Sequence, residues 1–196
     1  MSALEDAIEA ARAGKLVVVP TDTVYGIGTR ADDPAATARL IEAKGRPREL
    51  HLPVFVSSPD AARKVAVLDE RAEKLARAFW PGPLTIVLPR RDASHGWVLG
   101  GDGASIGLRI PGHPLARALT EGVGALAATS ANRSGEPVCT TCDEVEATFG
   151  DAVEVYLCEE QPLPSTASTV ADLTGDQLRV LRPGAIEEAD LKTALA

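Results

Sequence analysis

Basic residues, cysteines and long apolar runs are all in short supply in this 196-residue chain, and each shortage removes a class of function. Lysine and arginine number 20 against 28 acids, a net charge of −8, so a nucleic-acid contact needs a local basic patch rather than a global positive field. Runs approaching the roughly 18 apolar residues of a membrane span are absent. Ser2 to Ala13 carries acids where a signal peptide would be apolar, which makes the cytoplasm the expected compartment and leaves no membrane role. The three cysteines, Cys139, Cys142 and Cys158, contain a single Cys-x-x-Cys pair (Cys139 and Cys142), and no second pair or His-x-x-x-His completes a four-ligand zinc site. Buried or idle thiols are the favoured reading, and His51, His95 and His113 are scattered loop or surface residues. Also missing are Gly-x-x-x-x-Gly-Lys-Ser/Thr, Gly-x-Ser-x-Gly, Gly-x-Gly-x-x-Gly and His-Glu-x-x-His, so P-loop, nucleophile-elbow, Rossmann and zincin chemistry lose support.

What is present suits one α/β domain spanning residues 1–196. A hydrophobic fraction of 45% beside 24% charged residues is that of a folding chain rather than a disordered one. The chain is organised around Leu16-Val17-Val18-Val19, a β-branched run that reads as a strand buried on both faces, and the segment after it, Pro20-Thr21-Asp22-Thr23-Val24-Tyr25-Gly26. Proline stops the ladder, and the hydroxyls, carboxylate and phenol behind it, followed by Gly26-Ile27-Gly28, suggest a binding rim. A hydroxyl-rich strand end capping the next element explains the spacing equally well.

Helix and strand signals alternate along the chain. Ser2 and Glu5 form a capping box for a helix ending at Gly14, and Lys15 to Val19 is the first strand. Asp33-Pro34 starts a helix over Ala35 to Lys44; Pro53 to Ser57 reads as a strand; Ser58-Pro59 and Asp69 to Phe79 give two further helices. Leu84 to Leu88 and Ser105 to Ile110 are strands separated by Arg90 to Gly103, a glycine-bearing, aperiodic stretch expected to be a mobile flap. A helix from His113-Pro114, a strand over Ala125 to Ala128, a helix over Thr141 to Phe149 and a strand over Ala152 to Leu157 follow. Thr169 to Asp172 and Leu178 to Leu181 flank a turn suited to an antiparallel hairpin, and Glu187 to Leu195 is a last helix. A hairpin beside helical crossovers implies a twisted mixed parallel/antiparallel sheet flanked by helices.

Polar residues cluster at the ends of these elements. Lys44-Gly45-Arg46-Pro47 follows a helix, where a lysine also complements the macrodipole. Arg109 and Arg182 each end a strand, a position from which a guanidinium forks onto carboxylate or phosphate oxygens. Ser130-Ala131-Asn132-Arg133-Ser134-Gly135 and Ser165-Thr166-Ala167-Ser168-Thr169 add hydroxyls and an amide, though such segments also serve as plain turns.

Seven segments in order resemble the signature of the YrdC family, the L-threonylcarbamoyladenylate synthases. They are Pro20 to Gly26, Lys44 to Pro47, Phe79-Trp80-Pro81-Gly82-Pro83-Leu84-Thr85, Leu108 to Pro114, Ser130 to Gly135, Ser168-Thr169-Val170-Ala171-Asp172 and Leu181-Arg182-Pro183-Gly184. The match runs from about Leu16 to Gly184 and implies the single-domain form. The resemblance implies that L-threonine, bicarbonate and ATP, with Mg²⁺ accompanying the nucleotide, give threonylcarbamoyl-AMP and pyrophosphate. The product serves threonylcarbamoyladenosine formation beside the tRNA anticodon through a downstream tRNA threonylcarbamoyl-transferase complex. It also implies Lys44 and Arg46 on the triphosphate as the catalytic cations, with Ser105, Ser130, Asn132 and Arg182 completing the ATP site. Thr23, Arg109 and Ser168 match positions near threonine, and a buried Arg109 would need such an anion as its partner. Departures occur at Leu50, Val138 and Ala167, where relatives carry other residues, and contacts by Phe55 are unsettled for the same reason. Two other readings stay open: a non-catalytic RNA-binding module with weak, salt-dependent tRNA affinity, and a carbamoyl-AMP-dependent transfer domain of the kind found in hydrogenase maturation proteins.

Overall fold

The computed structural model describes residues 2–45, 47, 50–101 and 103–196. In chain order the elements are α1 (Ala3–Arg12), β1 (Val17–Val19), β2 (Gly26–Arg30), α2 (Pro34–Lys44), β3 (Val54–Val56), α3 (Pro59–Val65), α4 (Glu70–Phe79), β4 (Leu84–Pro89) and α5 (Asp92–His95). There follow β5 (Ser105–Arg109), α6 (Pro114–Val123), β6 (Ala125–Ser130), α7 (Cys142–Phe149), β7 (Val155–Tyr156), β8 (Thr169–Asp172), β9 (Arg179–Arg182) and α8 (Glu188–Leu195).

Local chemistry sets most helix ends. Both expected capping boxes form, Ser2 with Glu5 and Thr141 with Glu144. Asp33, Ser58 and Asp69 each accept a backbone N–H at an N-cap, and Asp33 and Ser58 are each followed by proline in the first turn. His113 caps α6 through Nδ1, which accepts from the Leu115 N–H at 3.2 Å.

The strands form one mixed sheet in the order β7-β1-β2-β6-β3-β5-β4-β8-β9. β1/β7, β3/β5 and β4/β8 run parallel and the other neighbours antiparallel, as the hairpin and crossovers required. Strand alternation then divides the residues between two faces. Val54 and Val56, Leu84, Ile86 and Leu88, and Ile106 and Leu108 enter the larger core with side chains of α2, α3, α4, α7 and α8. The other face is closed only in part: Val17, Val19, Leu126, Ala128 and Phe55 pack with alanines of α1 and with Ala116 and Leu119 of α6. Over β4 and β5 the residues alternating with the core are Thr85, Gly107 and Arg109, and there the polar cavity described below begins.

Two expectations need correction and one gains detail. Gly26 to Gly28 starts β2, whose Gly26, Ile27 and Gly28 pair with Val19, Val18 and Val17, while Gly26 and the turn before it line the cavity as a binding rim would; cross-strand pairing on both sides outweighs glycine's poor strand propensity. The stretch Arg90 to Gly103 is not a free flap. It holds α5 and is pinned by buried Arg90, which donates to the carbonyls of Ser105 (2.8 Å) and Trp97 (2.9 Å), and by the fully buried Leu99, whose carbonyl accepts from Leu52 N–H. A charged anchor bonding to carbonyls leaves no hydrophobic period to read. Ala152 to Leu157 shortens to a 3₁₀ turn and the two-residue β7: Val155 and Tyr156 pair in register with β1, and Leu157 adds a single bond from its N–H to Val18 O.

Leu108 is completely buried at the centre of the larger core. Leu108→Ala is expected to cost about 3 kcal/mol, read as a lower urea midpoint with an unchanged m-value.

Candidate functional site

Residues from seven strands or strand ends, from the turn Pro20 to Tyr25 and from the end of α2 converge on a cavity of about 180 Å³. Its wall includes Thr21, Thr23, Tyr25, Lys44, Phe55, Thr85, Arg109, Ser130, Asn132, Ala167, Ser168 and Arg182. Three cations and a row of hydroxyls face one space, and none of the described lining residues is acidic. Within a chain of net charge −8 this is a local positive site, the condition for holding anions.

Arg109 is its most constrained member. The residue is 4% exposed and its guanidinium lies 5.6 Å from the centroid of the Phe55 ring. Nε donates to the Gly82 carbonyl at 2.9 Å, Nη1 to Thr23 Oγ1 at 3.1 Å and Nη2 to Asp22 Oδ1 at 2.7 Å. One anion comes from within the chain: Asp22, 20% exposed at its side chain, is the partner that makes burial of the charge tolerable. Burial pushes the guanidinium below its ordinary pKa, Asp22 opposes that, and the charge of Arg182 lowers it further. Three of five N–H groups are used, so one on each terminal nitrogen is left for a ligand.

The backbone that holds Arg109 comes from two of the recognised segments. Gly82 N–H donates to Ile110 O at 2.8 Å, locking the turn after α4 beside β5, and a Cβ at Gly82 would lie 2.5 Å from the Phe79 carbonyl. Only glycine fits. Asp22 Oδ1 also accepts from Gly112 N–H at 2.8 Å, so the Pro20 to Tyr25 turn is tied to the Pro111-Gly112 loop. Asp22 Oδ2 is buried without a hydrogen-bond partner.

Lys44 does a similar job on the opposite wall. At the C-terminus of α2 and 3% exposed, its ammonium donates to the carbonyls of Ser130 (2.7 Å) and Asn132 (2.6 Å) and to Asn132 Oδ1 (3.0 Å). Its main-chain oxygen accepts from Ser134 N–H. The lysine thus shapes the loop after β6 as well as lending its charge. Asn132 Nδ2 in turn donates to Glu136 O at 2.6 Å.

Ser168 and Arg182 meet across the β8/β9 hairpin. Arg182 Nη2 donates to Ser168 O (2.8 Å) and Oγ (2.9 Å), Nε reaches the same carbonyl (3.1 Å), and Nη1 is left open. Ser168 Oγ lies 3.3 Å from Thr85 Oγ1. Desolvation lowers the Arg182 pKa.

Of the residues named from sequence, Lys44, Ser130, Asn132, Arg182, Thr23, Arg109 and Ser168 are brought together. Ser105 is not: it begins β5, four residues and about 13 Å of strand from Arg109, and is absent from the lining. Sharing a face with Arg109 in the alternation does not bring it to the same end. Arg46 lies outside the described residues. Leu50 is exposed and Val138 off the wall, whereas Phe55 and Ala167 line it. Sequence reading missed the contributions of Asp22, Thr85 and the Gly82 carbonyl. The signal for Thr85 was a lone hydroxyl between Leu84 and Ile86; for Asp22 and Gly82, nothing in the local pattern names a partner so far away in sequence.

Comparison with known proteins follows the same outline. The Sua5/YciO/YrdC family model, described as "Telomere recombination", matches residues 9–184. A "Putative threonylcarbamoyl-AMP synthase" of Mycobacterium tuberculosis is 42% identical over 92% of this chain and 83% of its own. The crystal structure of Pyrococcus abyssi Sua5 complexed with L-threonine superposes with a TM-score of 0.90 at 36% identity, covering 98% of this chain, which spans 57% of that longer one. Escherichia coli YciO superposes with a TM-score of 0.86 at 25% identity over 94% of this chain and 90% of its own.

Two substitutions test the construction of the wall. Asp22→Asn removes the charge facing Arg109 and is expected to lower stability by about 3 kcal/mol in denaturant titration. A Cβ at Gly184 would lie 2.4 Å from Ala167 O and 2.5 Å from Thr169 N. Gly184→Ala is therefore expected to displace Ser168, measurable as altered amide shifts at Ser168 and Thr169 with the opposite wall unchanged.

Proposed function

The chain belongs to the Sua5/YciO/YrdC family, and from that premise we propose that it is an L-threonylcarbamoyladenylate synthase, a nucleotidyltransferase. It makes threonylcarbamoyl-AMP and pyrophosphate from L-threonine, bicarbonate and ATP. One observation carries this reading most: a cavity whose described lining holds three cations, hydroxyls and no acid, on the fold whose Pyrococcus relative is complexed with L-threonine.

The chemistry asks for alignment of anions more than for a nucleophilic side chain. The threonine nitrogen takes up bicarbonate as a carbamate with loss of water; a carbamate oxygen then attacks the α-phosphorus and pyrophosphate departs. Positioning and charge stabilisation are the terms such a displacement needs. In this reading the two spare N–H groups of Arg109 grip the threonine carboxylate, while Thr23, held by Arg109 Nη1, and Ser168, held by Arg182, flank the rest of the amino acid. Arg182 Nη1 and Lys44 face the phosphates, Arg46 joins them as the family resemblance implies, and Ser130 and Asn132 contact the nucleotide. Direct contact between Lys44 and phosphate requires exchange of one of its loop acceptors.

The cavity is smaller than the roughly 300–1,000 Å³ of typical ligand sites, which suits an amino acid at the floor and a nucleotide at the mouth. Mg²⁺ enters as the MgATP substrate. The described wall offers it hydroxyls and carbonyls but no carboxylate, since Asp22 is turned toward Arg109 and Gly112, so its ligands come from phosphate and water. No helix among the described residues is long and apolar enough to cross a membrane. We place the activity in the cytoplasm, with a tRNA threonylcarbamoyl-transferase complex consuming the product.

Incubation with MgATP and bicarbonate is expected to release pyrophosphate only when L-threonine is added; threonine-independent release would remove the substrate assignment. Arg109→Ala should raise KM for threonine about 10- to 100-fold, the loss of charged hydrogen bonds worth about 1.5–3 kcal/mol. Arg46→Ala should raise KM for ATP instead. Salt-sensitive tRNA binding without pyrophosphate release would favour the RNA-binding alternative.

A further inference from the structure

Away from the cavity, the described residues contain one cluster of thiol and carboxylate ligands: Cys142, Glu146 and Cys158, with one ligand atom from each within 4.8 Å of the others. Cys142 and Cys158 are joined as a disulfide, with Cα atoms 5.6 Å apart and a sequence separation of 16. The expectation of buried or idle thiols is therefore corrected for Cys142 and Cys158, whose partnership links residues too far apart in sequence for the Cys-x-x-Cys spacing to reveal. Cys139 is a free thiol, packed against the core, with Sγ 3.7 Å from Thr148 Oγ1.

The bridge sits where the chain turns toward the substrate cavity. Cys142 is the first residue of α7 and Cys158 lies two residues beyond β7. The next residue, Glu159, donates its N–H to Tyr25 Oη at 2.9 Å, and its carboxylate lies 3.2 Å from His113 Nε2. Tyr25 is completely buried and lines the cavity. Leu163 N–H donates to Thr140 O at 2.8 Å, next to the α7 cap. The same segment, otherwise without regular structure, continues to Ala167 and Ser168 in the wall. Among the described residues its moorings ahead of the wall include the bridge, the Glu159 contacts with Tyr25 and His113, the Leu163–Thr140 bond and the packing of Leu163 against the larger core.

We propose that Cys142 and Cys158 are a reversible thiol–disulfide pair, exchanging with small thiols and disulfides, whose oxidation state sets how firmly residues 158–168 are held against the substrate cavity. Cys158 is exposed, so a small thiolate attacks its sulfur; the S–S bond breaks and Cys142 takes the electron pair. The N–H groups opening α7 favour charge on that leaving sulfur, while Glu146 Oε1, 3.8 Å away, opposes it. A second thiol then attacks the mixed disulfide. In balance, one protein disulfide and two small thiols give two protein thiols and one small disulfide, and oxidation is the reverse. The effect on substrate rests on the function proposed above, but the bridge and its hold on the segment do not.

The test equilibrates the full chain in glutathione buffers of varied ratio, alkylates, and counts modified thiols by mass. One alkylated cysteine, Cys139, is expected under oxidising conditions and three under reducing ones, with Cys142 and Cys158 changing together. Hydrogen exchange on the two forms should show the amides of Glu159 and Leu163 exchanging about tenfold faster after reduction, and the melting temperature should fall by roughly 5–10 °C. The Cys142→Ser/Cys158→Ser variant should match the reduced protein at every ratio. Three alkylated thiols throughout, or zinc retained stoichiometrically and shielding Cys142 and Cys158, would overturn the exchange chemistry. Identical exchange at Glu159 and Leu163 in both forms would overturn the coupling to the cavity. These readouts need neither threonine nor ATP, so they are decided separately from the catalytic reading.

Discussion

A guanidinium almost wholly buried in the cavity wall is the constraint on which the site depends. Arg109 is tolerated in the sheet because three groups from two separate parts of the chain meet its geometry: the carboxylate of Asp22 and hydroxyl of Thr23, and the carbonyl of Gly82. Each of those groups is placed by something other than the arginine. Asp22 and Thr23 ride on the turn between β1 and β2, itself set by the pairing of Val19 with Gly26, and Gly82 is fixed by the break after α4. The ion pair therefore acts as a keystone between the two halves of the sheet. Because the internal bonds use only part of the fork, satisfaction of the buried charge and capacity for a ligand coexist.

The same logic recurs on the facing wall. Lys44 is buried against backbone carbonyls of Ser130 and Asn132, and Arg182, more exposed, donates to the carbonyl and hydroxyl of Ser168. In each case a cation holds the loop that carries the neighbouring polar group. Positive potential and loop geometry come from one side chain, so the site is preorganised for anions without acidic groups in its described lining. Glu159 extends this mooring outward, joining Tyr25 and His113 to the segment that follows the Cys142–Cys158 bridge.

The partial closure of the second sheet face explains why the cavity is where it is. α1 and α6 cover β1, β2 and β6 with small side chains, and no helix of the described residues supplies apolar cover over Thr85 and Arg109. A hydroxyl and a guanidinium at positions that alternate with Leu84, Ile86 and Leu108 could not be buried against hydrocarbon, so the polar residues and the missing cover belong together.

Local signals in the sequence determined the helices, because caps such as Ser2, Asp33, Asp69 and Thr141 act within a few residues of themselves. They also determined the mixed character of the sheet, through β-branched runs and one hairpin, and the ordered segments fixed the family. Three matters were left to the tertiary structure: that β2 is a strand, that Arg90 ties down its loop, and that Cys142 and Cys158 are not idle thiols but a disulfide. Strand pairing, carbonyl acceptors and sulfur neighbours are all set by residues distant in sequence. Likewise the sequence named Arg109 as needing an anion, but only the fold chose Asp22, 87 positions away, since a charge is neutralised by what lies beside it in space.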